Sequence, residues 1–196
     1  MRGLRWDAGS FEVLGDGKEG TVEIKFTIGD SSLGKVMVAA TDKGICSVSL
    51  RESDSALEEW LRAQFAKADI QRDDKALKPV LESVLARIAG RNLDRPLPLD
   101  LQGTDFQREV WNELLAIPPG STRSYLDVAH AIKRPKATRA VAQACGANPV
   151  AVVVPCHRVV MSDGSIGGYS GLPGMKKALL AAEGVEQFTG GLKDLA

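Results

Sequence analysis

Residues 124–148 read "SYLDVAHAIKRPKATRAVAQACGAN". Two short runs with helical patterning, 124–132 and 135–148, are joined by "KRP". Pro135 stands where a helix begins, the position at which proline's fixed φ helps and its missing N–H costs nothing. Lengths and punctuation together predict a helix-turn-helix layout. In the second run Ala137, Ala140, Val141 and Ala144 share one face, and Lys136, Arg139 and Gln143 recur at i, i+3, i+7 on another. A helix with such small side chains lets its backbone come close to a neighbour, whether a packed helix or a ligand. Cys145 belongs to the apolar side and reads as structural.

Working back from this stretch, "TDFQREVWNELLAIP" (104–118) predicts a helix capped by Thr104 or Asp105, with Phe106, Val110, Leu114 and Ile117 as its apolar stripe. "RNLDRPLPLDLQG" (91–103) carries two prolines too close for a helix and reads as a connector with a short strand. The domain boundary falls there. Earlier still, "VEIKFTI" (22–28) alternates apolar and polar residues, and "KVMVAAT" (35–41) and "GICSVSL" (44–50) meet across a hairpin signal at 42–44. Three antiparallel strands are expected, with Cys46 as a small core residue in the third. Helical spacing returns in "SALEEWLRAQFAKA" (55–68) and in "DDKALKPVLESVLARIAG" (73–90), where Pro79 lies near the start and Gly90 marks a stop. The expected divisions are a flexible tail over 1–20, an α/β domain over 21–101, a second domain over 102–187 and a tail over 188–196.

Of 196 residues, 26% are charged and 44% hydrophobic, and the formal net charge is zero. From Arg123 to Arg158 six basic residues (Arg123, Lys133, Arg134, Lys136, Arg139, Arg158) face a single acid, Asp127, so this segment carries +5 and the remainder −5. A nucleic-acid surface and a solvated basic face fit that asymmetry equally. The three cysteines, Cys46, Cys145 and Cys156, form no CxxC pair, which fits reduced thiols inside a cell. No signal-peptide core and no membrane-length apolar run is legible, so a soluble intracellular protein is expected.

The chemistry concentrates in "VVVPCHRVV" (152–160), which places Cys156, His157 and Arg158 side by side at the end of an apparent buried strand. A free thiol has a pKa of about 8.5, and only its thiolate is nucleophilic. A neighbouring base and cation suit that need, although adjacent side chains in an extended chain point to opposite faces. His157 then reaches the sulfur through a water or a bend and needs an acid to orient it. Adjacent Cys and His are poor joint ligands for a tetrahedral zinc, and His130 is the only other histidine, so no metal and no cofactor is expected. "QACGA" (143–147) is similar to the caspase pattern but lacks its final glycine and an upstream histidine, and that reading is rejected.

The segment Asn148–Val160, "NPVAVVVPCHRVV", resembles the active-site segment of the O6-alkylguanine-DNA alkyltransferases. The resemblance runs back through "SYLDVAHAIKRPKATRAV" and forward through "DGSIGGYSG" to "KKALLAAEG", and is strongest to the C-terminal part of Ada-type proteins. Three cysteines do not suffice for the four-cysteine zinc module of those proteins. The resemblance implies an α/β chain with an N-terminal ribonuclease-H-like domain holding a small antiparallel sheet, followed by a winged-helix-like helical domain. It implies single-turnover transfer of an alkyl group from O6-alkylguanine, and from O4-alkylthymine, to Cys156. His157 is then the base acting through a water, Glu183 the acid that holds it, and Asn148 the residue that fixes the turn. Tyr125 and Ser170 would bond or protonate the leaving guanine, with Gly168, Tyr169, Val159 and Lys176 as further substrate-binding residues. Arg139 would fill the gap left by the flipped base, and Lys136, Thr138, Arg123, Tyr125 and Ala140 would bind duplex DNA through its minor groove. A monomer is expected, cytoplasmic in a bacterium or nuclear in a eukaryote. Ada-type relatives carry a tryptophan just after the tyrosine, whereas Ser170 and Gly171 stand here, which implies room for bulky alkyl groups. A lesion sensor lacking the cysteine, a piece or relative of an Ada-type transcriptional regulator, and a cysteine hydrolase are the alternatives.

Overall fold

The computed structural model describes residues 22–91 and 97–185, together with two three-residue strands near the start of the chain. Those strands, β1 (Arg5–Asp7) and β2 (Ser10–Glu12), pair antiparallel. The remainder of the expected N-terminal tail, and the whole of the C-terminal one, lie outside the described residues.

The three expected strands form: β3 (Glu23–Ser31), β4 (Gly34–Ala40) and β5 (Ile45–Arg51) make an antiparallel meander. α1 (Asp54–Gln64) follows, its first turn closed by the Ser53 hydroxyl accepting from the Ala56 N–H. A fourth strand, β6 (Asp69–Arg72), then pairs parallel with β3, giving the order β5-β4-β3-β6. The sheet is therefore mixed, where an antiparallel one was expected. β6 carries no alternation to predict it, because "DIQR" is short and polar, as suits a solvent-facing edge. α2 (Asp74–Ile88) is capped by Asp73. Pro79 stands beyond its first turn, deeper than expected, and the Ser83 hydroxyl bonds back to the Pro79 carbonyl.

The sheet separates two cores. One face packs Ile24, Phe26, Ile28, Met37, Ala39 and Cys46 against Leu57 and Leu61 of α1. The other face, through Val36, Val38, Val48 and Leu50, meets α2 and continues without a break into the second half of the chain. Two parallel bridges seal that junction, Ile45 with Leu99 of the connector and Val48 with Val150.

In the second half, α3 (Asp105–Leu115) starts with a capping box between Thr104 and Gln107. The two-residue strand β7 (Arg123–Ser124) leads into α4 (Tyr125–Ala131), capped by a second box between Ser124 and Asp127. Pro135–Ala137 form a 3-10 turn, and α5 begins only at Thr138 and runs to Gly146. The helix thus starts three residues later than its proline suggested. The helix-turn-helix layout stands. α3 closes it from outside: Trp111, absent from the expected stripe, is almost fully buried and donates from Nε1 to the Ala144 carbonyl at 2.8 Å. The chain ends, for the described part, in α6 (Met175–Ala182). Among the described residues no helix is long and apolar enough to cross a membrane.

Candidate active site

The apparent strand at 152–154 is a turn. Val152 adopts φ +71°, a left-handed conformation that a β-branched residue rarely takes. Cys156–Arg158 then form a 3-10 turn, and only Val159–Val160 are extended, as β8, parallel to β7. Asn148 holds this irregular path. Its Nδ2 donates to the Val154 carbonyl at 2.9 Å and to Cys156 Sγ at 3.1 Å, while its Oδ1 accepts from the Val150 N–H at 3.0 Å. One side chain thereby spans the loop and touches the thiol. The bend also answers the adjacency problem, because consecutive residues on a 3-10 turn do not alternate across a plane.

All three cysteines are buried and unpaired by disulfides. Burial pushes the Cys46 and Cys145 thiols up to about 12. Burial also raises Cys156, but there the Asn148 amide, the Tyr169 hydroxyl and the Lys176 charge all pull the other way. Tyr169 reaches the sulfur only loosely: its hydroxyl is buried without a hydrogen bond of ordinary geometry. Cys156 is a thiol at rest, set among groups that favour its anion.

His157 is 1% exposed. Burial lowers its pKa, partly offset by Glu183, so the ring is neutral near pH 7. Its Nε2 lies 2.9 Å from Glu183 Oε1. Burial opposes the charge on Glu183, yet hydrogen bonds from His157 and Arg158 outweigh that and bring it down to about 2. An ionised carboxylate at Nε2 fixes that nitrogen as the donor and leaves Nδ1, buried and without a partner among the described residues, as the acceptor. Arg158 completes the cluster, donating from Nε to Glu183 Oε2 at 2.9 Å, from a terminal nitrogen to Oε1 at 2.8 Å, and from the other to the Ile117 carbonyl.

Cys156 borders two cavities. The first, about 390 Å³, is lined by Tyr125, Ala142, Cys145, Gly146, Met161, Gly168, Tyr169 and Ser170. The second, about 240 Å³, opens between β5, α1 and the Asn148 loop, with Arg51, Trp60 and Gly171 in its wall. Of the residues expected to bind substrate, Tyr125, Ser170, Tyr169 and Gly168 line the first cavity. Val159 and Lys176 are among the lining residues of neither. Lys176 is instead a buried clamp: its Nζ donates to the carbonyls of Val159 at 2.6 Å, Ile166 at 2.5 Å and, more weakly, Gly168 at 3.5 Å. Burial lowers its pKa to about 8. Tyr125 is raised to about 12, first by burial, and so keeps its proton.

The outer face of α5 is as its spacing predicted. Val141, Ala144 and Cys145 are buried, whereas Lys136, Arg139 and Gln143 are exposed, and Thr138 and Ala140 lie between these extremes. The basic segment is less basic in space than in sequence. Arg123 pairs with Glu113 at 2.5 Å, Arg134 with Glu109 at 3.1 Å, and Arg158 with Glu183. All three acids lie outside the segment, which is why counting along the chain overstated its charge. Lys133, Lys136 and Arg139 are exposed and have no ion pair among the described residues.

The Glu183 carboxylate, reached from 25 residues away, and the Lys176 clamp come from the two ends of α6. Local patterning carries no signal for either contact, because no rule of spacing links α6 to the 3-10 turn.

The chain is similar to known proteins over most of its length. Residues 105–185 match the family model for the 6-O-methylguanine DNA methyltransferase DNA-binding domain. The bifunctional transcriptional activator/DNA repair enzyme Ada of Escherichia coli K12 is 41% identical over 160 residues, 82% of this chain but 45% of that protein. The chain thus spans about half the length of Ada. The inducible methylated-DNA–protein-cysteine methyltransferase of Bacillus subtilis is 42% identical over 147 residues, 74% of this chain and 82% of that one. The crystal structure of Mycobacterium tuberculosis OGT in complex with DNA superposes with a TM-score of 0.68 at 36% identity, covering 83% of this chain and 92% of that one. With likeness of this extent in sequence and in fold, the chain belongs to the methylated-DNA–protein-cysteine methyltransferase family.

Proposed function

We propose that this chain removes the alkyl group from O6-alkylguanine in duplex DNA, and from O4-alkylthymine, by taking it permanently onto Cys156. The observation that carries this reading is a buried thiol at the edge of a base-sized cavity, bonded by Asn148 and followed directly by a histidine that an ionised glutamate holds as a proton acceptor. The Sγ proton passes through a water to His157 Nδ1. The thiolate attacks the alkyl carbon, the carbon–O6 bond breaks, and its electron pair stays on guanine. Tyr125, still protonated, donates to the leaving base, as does Ser170, which lines the same cavity. The imidazolium that forms is balanced by Glu183.

A base inside a duplex must leave the stack to reach this cavity. Arg139 takes the vacated space, while Lys136, Thr138, Ala140 and, beyond its pairing with Glu113, Arg123 meet the minor groove and its phosphates. Lys176 and Val159 support the cavity from beneath. The chain acts as a monomer in the cytoplasm, or the nucleus of a eukaryote. In the fold, the sheet order with its parallel fourth strand supports a ribonuclease-H-like first domain, over 21–101. α3 to α5 and the β7–β8 pair support a winged-helix-like second one, over 102–187. Ser170 and Gly171 leave room beside the sulfur for groups larger than methyl.

The thioether is stable, and Cys46 and Cys145 are buried with thiols too poorly acidic to displace it. Titration with a duplex containing O6-methylguanine is therefore expected to stop at one methyl group per protein molecule. Cys156→Ser should still bind the duplex and accept none. Repeated turnover would overturn the reading.

A further inference from the structure

Glu183 closes the C-terminal end of α6. Two glycines stand against the backbone there. Gly90, just past the end of α2, has φ +71°, and a Cβ built on it would lie 2.7 Å from the Ala182 carbonyl carbon and closer still to its oxygen. Real Cβ atoms essentially never come within 3.0 Å of such a neighbour, and here the neighbour is backbone. Gly120, in the turn after α3, has φ +75°, and its Cβ would stand 3.2 Å from the Glu183 carbonyl oxygen. The last peptide units of α6 therefore sit between two glycines, one from each half of the chain. We propose that Gly90 and Gly120 are positioning residues for the acid–base pair, forming a seat that sets Glu183 against His157 and Arg158. This rests on the alkyl-transfer reading and makes the first half of the chain part of the chemistry.

The conformation of Gly90 has an ordinary cause as well. It closes α2 in a Schellman motif, with the Gly90 N–H on the Arg87 carbonyl at 3.0 Å and the Arg91 N–H on the Ala86 carbonyl at 2.9 Å. Such a cap explains a left-handed residue but not the contact with Ala182. Asparagine separates the two, because it is the second choice at a helix cap and still carries a Cβ.

The charged groups around the seat are few. Glu183 faces His157 and Arg158; Arg87 on α2 acts on Arg158, and Lys176 on α6 acts on His157 and Cys156. If Glu183 recedes, His157 loses the partner that holds its pKa up, and it accepts the thiol proton less readily. Transfer then slows, and its acid limb, set by protonation of His157, moves to lower pH. A displacement of about 1 Å in such a constellation costs about 10²-fold in rate.

The test compares the parent chain with Gly90→Ala, Gly90→Asn and Gly120→Ala. Three quantities are read: methyl transfer from a duplex containing O6-methylguanine across pH, duplex affinity, and thermal unfolding. The expected result is transfer slowed about 10- to 100-fold by both Gly90 variants and less by Gly120→Ala. The acid-limb midpoint falls and duplex affinity is unchanged. Gly90→Asn transferring at the parent's rate and midpoint would show a helix cap and nothing more. If both Gly90 variants unfold, Gly120→Ala decides, and a parent-like rate and midpoint there overturns the seat. A parent chain that transfers nothing would instead remove the alkyl-transfer reading.

Discussion

The sheet face beneath α1 and the turn from Asn148 to Val160 are both buried, but they bury different things. The first buries hydrocarbon: Ile24, Phe26, Met37, Leu57 and Leu61 leave no charged group inside. The second buries His157 and Arg158, at 1% and 8% exposure, and spends Glu183 and four backbone carbonyls on keeping them and Lys176 satisfied. Hydrophobic burial is non-directional, so the first region tolerates reshaping and loses only stability. A buried charge network is directional and fails at once when one member is lost. Substitutions in the two regions should therefore separate rate from stability.

The largest separation is expected at His157. His157→Ala should slow methyl transfer about 10²- to 10⁴-fold, the usual worth of a general base, with duplex affinity retained. Equal rates for variant and parent in a single-turnover assay would remove the base from the mechanism. Leu57→Ala tests the opposite region. It should cost about 2–5 kcal/mol by urea unfolding, while the transfer rate at low temperature stays that of the parent. A slowed rate in the folded variant would mean that this face is coupled to the site.

Glu183 joins the two properties. Its folded pKa is depressed from 4.5 to about 2, so its stabilising share is complete above pH 4.5 and is lost as pH falls toward 2. Glu183→Gln should lower stability at pH 7 by about 3 kcal/mol, because Arg158 is left buried without its counter-charge. It should also flatten the acid limb between those pH values. A steep limb in the variant would place the acid sensitivity elsewhere. The smallest effect belongs to Arg139, exposed on α5. Arg139→Ala should slow transfer from duplex DNA about tenfold and leave reaction with free O6-benzylguanine unchanged. Equal losses on both would put Arg139 in the cavity or in the fold. Residual methyl transfer after excess O6-benzylguanine would show that Ser170 and Gly171 do not open the pocket.

The same contrast governs what could be read from the chain. The three strands and the helices of the first half were legible because alternation and 3.6-residue spacing report directly on one-sided burial. β6 was not, since a polar edge strand carries no such pattern. At 152–154 three valines gave the strongest local strand signal in the segment, and the chain turned there instead. Asn148 supplies the reason, through bonds to Val150, Val154 and Cys156 that outweigh the propensity of β-branched residues. The motif itself marks Cys156, His157 and Arg158, whereas Asn148, Tyr125, Ser170 and Glu183 follow from resemblance alone. Their long-range contacts, Glu183 to His157 above all, follow from packing that no local rule encodes. Trp111 and the Lys176 clamp belong to the same class.

The central claim is that burial alone does not decide which of three buried thiols reacts, and that the donors around Cys156 do. It is tested most directly by intact mass measurement after incubation with a duplex containing O6-methylguanine, followed by peptide mapping of the adduct. The account predicts a gain of one methyl group, found on the peptide containing Cys156. A methyl group on Cys46 or Cys145, or an unchanged mass with the lesion removed, would contradict it.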